Sequence, residues 1–70
     1  MNKRYSVNNR IRVARAEHRV TQKALAKTVG VSEPYINHVE NGSATPSIAV
    51  ALRIAKALGK TVDELFYEED

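Results

Sequence analysis

The side chains best suited to acid–base chemistry, apart from an acidic C-terminal run, are His18, His38, Glu33 and Glu40. They do not fall into a His-Glu-x-x-His pattern or a paired-carboxylate spacing, so neither metal-assisted hydrolysis nor a two-carboxylate mechanism is set up. The chain has no Cys, which excludes thiolate catalysis, thiolate metal ligation and disulfide bracing. No cofactor-binding signature appears, and the sequence is read as that of a non-enzyme. What remains is recognition chemistry. Gln22, Asn37 and Asn41 carry amides that donate and accept together, and Arg10, Arg15 and Lys23 carry fixed positive charge.

Seventy residues suffice for one small domain, too few for a deep cofactor cleft. With 43% hydrophobic residues the chain is too apolar to stay disordered. It has no long apolar run, so it is expected to be cytoplasmic, away from membranes. Its net charge of +3 hides an uneven distribution, with residues 1–30 carrying +7 and residues 31–70 carrying −4. A basic half of this kind suits a polyanion such as nucleic acid.

The breakers Gly30, Gly42, Pro46 and Gly59 leave room only for short helices between them. Val7, Ile11 and Ala14 share one helical face, which predicts a first helix over about 7–17. Thr21 caps a second helix with Leu25, Ala26 and Val29 inward, ended by Gly30. Ser32 caps a third with Ile36 and Val39 inward, and Pro34 sits in its first turn, where no intrahelical bond is lost. Thr45-Pro46 is expected to open a fourth helix with an apolar stripe of Ile48, Leu52, Ala55 and Leu58, broadened by Ala51 and Ile54. Thr61 and Glu64 form a capping box for a fifth, with Leu65 and Phe66 on its apolar side. No strand alternation is seen, and residues 67–70 read as a frayed acidic tail. The predicted class is all-α, with five short helices around one core.

Residues 22–41 are more constrained than a generic bundle requires. Two helices meet across Gly30-Val31-Ser32, which needs a small residue at the crossing (Ala26) and a positive φ in the turn (Gly30). This is the pattern of a helix-turn-helix, whose second helix enters the DNA major groove. Thr21-Gln22-x-x-Leu25-Ala26, Gly30-Val31-Ser32, Ile36-x-x-Val39-Glu40-Asn41-Gly42 and Pro46-Ser47 resemble the Cro/CI-type (XRE, lambda-repressor-like) helix-turn-helix family. The resemblance continues through Ala51-Leu52-x-Ile54-Ala55-Lys56-Ala57-Leu58-Gly59 and Asp63-Glu64-Leu65-Phe66, covering about residues 9–66. It implies a compact five-helix domain acting as a prokaryotic transcriptional regulator, usually a homodimer on a two-fold double-stranded DNA operator. The domain is expected over 7–66, between a flexible basic arm (1–6, including Asn2-Lys3-Arg4) and the acidic tail (67–70).

The resemblance also distributes roles. Arg15 of the first helix is expected to pair with Glu40 as scaffold. Gln22, at the start of the second helix, is expected to hold a phosphate, and Arg10, Lys23, Asn41 and Ser43 are placed similarly. Glu33, Pro34 and His38 match the family's main base-contacting positions, with Asn37 beside them. The chain departs from the family here, since Arg or Gln is commoner at such sites. Glu33 is suited to accept from cytosine, Pro34 to touch a thymine methyl, Asn37 to pair with adenine, and His38 to donate to guanine. Tyr35 is expected along the groove wall or on a phosphate, and His18 merely at the surface. A symmetric dimer is expected through Val62, Leu65, Phe66 and Tyr67, in the acidic half. No cofactor, metal or small-molecule ligand is expected. The alternative readings are a protein-interaction module, or an antitoxin or restriction controller of the same fold.

Overall fold

The computed structural model describes residues 6–69, so Asn2-Lys3-Arg4 lie outside the described residues. The order of elements is β1 (Ser6–Asn9), α1 (Ile11–His18), α2 (Gln22–Val29), α3 (Glu33–Glu40), α4 (Ile48–Ala57), α5 (Val62–Leu65) and β2 (Phe66–Glu69). Five helices enclose a core formed by Ile11, Leu25, Ile36, Ile54, Leu58 and Leu65, each at most 1% exposed, with Ala14, Ala26, Val29, Val39 and Ala55 between them.

The caps explain where α2, α3 and α5 begin. Thr21 Oγ1 accepts from Ala24 N–H at 3.0 Å and Ser32 Oγ from Tyr35 N–H at 3.2 Å, each satisfying a backbone donor with no intrahelical partner. At α5 the capping box is closed in both directions, with Thr61 N–H donating to Glu64 Oε1 at 2.8 Å and Glu64 N–H to Thr61 Oγ1 at 3.1 Å. Gly30, at φ 87°, turns the chain from α2 into α3, and its N–H and that of Val31 both donate to Ala26 C=O. Ala26 is 3% exposed, a small side chain in the packed core as the turn requires.

Four expectations are corrected. The first helix begins at Ile11, not near residue 7, because residues 6–9 pair antiparallel with residues 66–69, Val7 opposite Glu68 and Asn9 opposite Phe66. Val7 is therefore an exposed strand residue, and residues 67–69 of the tail expected to fray belong to the second strand. The fourth helix is capped by Ser47 rather than Thr45, through Val50 N–H at 3.2 Å. Its inner face is Ala51, Ile54, Ala55 and, at the C-cap, Leu58, while Ile48 and Leu52 are 80% and 56% exposed. Two overlapping apolar stripes run along this helix, and periodicity does not distinguish the buried one.

The sheet brings Asn9 to α3. Asn9 Oδ1 accepts from Ile11 N–H at 3.1 Å, opening α1, while its Nδ2 donates to Val39 C=O at 2.9 Å and, more weakly, to Glu40 C=O at 3.5 Å. One amide thus serves the start of α1 and the end of α3, where carbonyls lack intrahelical donors. Asn9→Ala is expected to cost about 1–2 kcal/mol in urea unfolding. Val13→Ala, at a position 58% exposed, should stay within about 0.5 kcal/mol.

Candidate nucleic-acid interface

Helix α3 is held from inside by Ile36 and Val39, 0% and 1% exposed. Burial of side chains of this size is worth roughly 1.5–3 kcal/mol each. The outward positions are Glu33, Pro34, Asn37 and His38, all exposed, while Tyr35 is partly buried and packs against the core. At the start of α2, Lys23 is exposed and Gln22 half-buried.

Glu40 ends α3 with a carboxylate only 1% exposed. Its Oε2 accepts from Arg15 Nε at 2.6 Å, and its Oε1 accepts from Arg15 Nη2 at 3.0 Å and Gln22 Nε2 at 2.9 Å. Arg15 Nη1 also donates to Val20 C=O at 3.0 Å, so one guanidinium binds both α3 and the turn leading into α2. Gln22 Nε2 lies 3.3 Å from Asn37 Oδ1, joining the start of α2 to the exposed face of α3. Burial acts to raise the Glu40 pKa, but the hydrogen bonds from Arg15 and Gln22 and the charges of Arg15 and Arg12 outweigh it and hold the group below its ordinary value.

A second cluster closes the C-terminal end of α3. His38 Nδ1 lies 3.0 Å from Ser43 Oγ, and Ser43 Oγ donates to Asn41 Oδ1 at 2.6 Å. The N–H groups of Gly42, Ser43 and Ala44 all donate to carbonyls of α3. The Asn41 side-chain NH2 is therefore the donor better placed to meet an anion. Arg10 is not brought to either cluster. Its guanidinium lies 4.3 Å from the centre of the Tyr67 ring and lines a groove with Glu17, Lys60 and Glu64.

Of the residues expected at a dimer seam, Leu65 is 1% exposed and fills the core, so it has no surface to offer a partner. Val62 and Phe66 are partly buried against that core, and Tyr67 is 37% exposed beside Arg10. Among the described residues no group of three or more His, Asp or Glu comes together to hold a metal, and no helix is long and apolar enough to cross a membrane.

The helix-turn-helix family profile matches residues 11–65. An uncharacterized HTH-type transcriptional regulator of Methanocaldococcus jannaschii is 39% identical over 64 residues, spanning 91% of this chain and 97% of the relative. The chain belongs to the Cro/CI-type helix-turn-helix family of transcriptional regulators. Two solved structures are similar to it. The DNA-binding domain of the P22 C2 repressor superimposes with a TM-score of 0.72 at 36% identity, covering 76% of this chain and 70% of that one. The restriction-modification controller protein C.AhdI from Aeromonas hydrophila gives a TM-score of 0.72 at 30% identity, covering 77% and 82%. Family membership makes this chain a DNA-binding transcriptional regulator.

Within the family fold, two residues that the sequence reading passed over matter to the interface. Arg12, 72% exposed, has Nε 3.7 Å from Glu40 Oε1 and so supplies positive charge beside α3, where Arg10 does not. The signal was its spacing, three residues before Arg15 on the same helical face. Asn9 gave no comparable signal, because its acceptors lie some thirty residues away.

The network also fixes a ranking and a pH dependence. Arg15→Ala leaves a buried carboxylate poorly compensated and is expected to cost about 2–4 kcal/mol in urea unfolding at neutral pH. Arg12→Ala should cost about 0.5 kcal/mol or less. Because the folded pKa of Glu40 lies below the unfolded one, its contribution is complete above the ordinary value of 4.5 and lost as pH falls through the folded value. Glu40→Gln should therefore flatten the loss of stability on acidification below that value, which thermal melts over an acid series would record.

Proposed function

We propose that the chain is a non-enzymatic repressor that binds a two-fold DNA operator as a homodimer, with α3 as the reading helix. The observation that carries this is the anchoring of α3. Its last residue is locked to α1 and α2 through the buried Glu40, while Glu33, Pro34, Asn37 and His38 remain exposed along its length. A helix fixed this firmly can present side chains to base edges in one orientation. Lys23, Arg12 and the side-chain NH2 of Asn41 flank it and serve as the phosphate-contacting set, while Gln22 and Ser43, whose side-chain protons go to Glu40, Asn37 and Asn41, position its C-terminal half. The repressor assignment draws on the likeness to the P22 C2 repressor domain.

One α3 offers few base contacts, and two related by a dyad read half-sites about 10–10.5 base pairs apart. The seam we assign is the face shared by α4 and α5. Leu52 and Val62 line one groove with Lys56, Lys60 and Asp63, and the exposed Ile48 lies one turn before Leu52. Across a dyad, lysines of one copy meet the aspartate of the other around this apolar strip.

Selection of bound sites from random duplex DNA tests the reading in one step. A palindromic logo with half-sites one helical turn apart supports it, and binding without sequence preference or salt dependence would overturn it. Lys23→Ala should weaken all duplexes about equally, whereas His38→Ala should relax one base pair per half-site by about 1–3 kcal/mol. Leu52→Glu and Val62→Glu should give folded monomers with weakened operator binding. A native protein that sediments as a monomer at tens of micromolar would remove the dimer.

A further inference from the structure

On the reading that α3 meets base edges, we propose that Ser43 and Asn41 hold the proton of His38 on Nδ1. Neutral His38 then presents Nε2 as a hydrogen-bond acceptor and selects a base with an exocyclic amine, adenine or cytosine.

The assignment follows from counting protons around Ser43. The Ser43 backbone N–H donates to Asn41 Oδ1 at 3.0 Å, which fixes the Asn41 amide with its oxygen toward Ser43, since an NH2 group there would oppose a second donor. The Ser43 hydroxyl lies 2.6 Å from the same oxygen. Two oxygens this close require a proton between them, and the amide oxygen has none, so Ser43 supplies it. The competing acceptor, His38 C=O, is 3.3 Å away and already accepts the N–H groups of Ser43 and Ala44 at 2.9 and 3.2 Å. A hydroxyl has one proton. Ser43 Oγ therefore faces His38 Nδ1, 3.0 Å away, with a lone pair, and Nδ1 must donate.

A neutral imidazole also has one ring proton. With Nδ1 protonated, Nε2, across the ring from Ser43, carries a lone pair. In the major groove guanine offers only acceptors at N7 and O6, and thymine offers O4 and a methyl group. Adenine N6 and cytosine N4 supply the donors that a bare Nε2 needs. This reverses the expectation from residue type alone that His38 donates to guanine. Ser43 acts here as a positioning residue, setting base preference through the ring it orients.

Two measurements on the full chain test this. Long-range proton–nitrogen NMR at about pH 8 should show His38 Nδ1 protonated and Nε2 bare. In Ser43→Ala the proton should move largely to Nε2, and Ser43→Thr, which keeps the hydroxyl, should retain the native pattern. A native His38 protonated on Nε2 overturns the inference, whatever the DNA result. Site selection at the same pH should place adenine or cytosine opposite His38, with the preference reduced about tenfold by Ser43→Ala and kept by Ser43→Thr. A guanine there, with Nδ1 protonated, overturns the base assignment. If native protein selects no sequence while the NMR pattern holds, the failure lies in the reading of α3 as a base-contacting helix.

Discussion

A carboxylate with 1% of its side chain exposed has to be compensated in full, and at Glu40 that need organises the reading head. Removing such a group from water costs several kcal/mol, which only well-directed donors recover. Arg15 supplies two of them and Gln22 a third, from two different helices. The orientation of α3 is thus set by directional bonds at its C-terminal end and by non-directional packing of Ile36 and Val39 along its length. Apolar contacts alone would let the helix rock or rotate slightly. A bidentate guanidinium tolerates little of either. The same residues therefore serve rigidity and presentation, because the donors to Glu40 come from α1 and α2 and leave Glu33, Pro34 and His38 exposed on α3.

What was legible in the sequence follows the range of the interactions involved. The starts of α2, α3 and α5 could be read because Thr21, Ser32 and Thr61 bond to residues three positions on. The turn at Gly30 could be read because a positive φ and a small crossing residue are local demands. The two strands could not. Val7 fits helical spacing with Ile11 and Ala14, and only a partner segment near the other end of the chain makes residues 6–9 extended. Helix α4 shows the limit of periodicity, since Ile48 and Leu52 satisfy the same repeat as the buried positions and the choice between faces belongs to tertiary packing.

The site divides in the same way. That Glu33, Pro34, Asn37 and His38 face outward follows from the inward spacing of Ile36 and Val39. Which donors those side chains present does not, because that depends on neighbours such as Ser43 and on a loop whose N–H groups fold back onto α3. Arg10 illustrates the point from the other direction. Its charge and position in the sequence suit a phosphate, yet it lies over the Tyr67 ring, brought near by β2, and lines a groove with Glu17, Lys60 and Glu64. Residue type sets what a side chain is able to do, and the partners around it decide what it does.

The pairing of β1 with β2 has a kinetic side. Ser6 lies opposite Glu69, so this sheet closes a loop of nearly the whole described chain, whereas the capping bonds and the α2–α3 turn span only a few residues. The entropy of closing a loop rises with its length, and a four-residue ladder returns little of it on its own. Collapse of the helices has to bring the two strands together before their bonds gain anything. The strands are thus the last element to zip and the first to part, and Asn9, carried on one of them, makes the grip on the end of α3 depend on that final step.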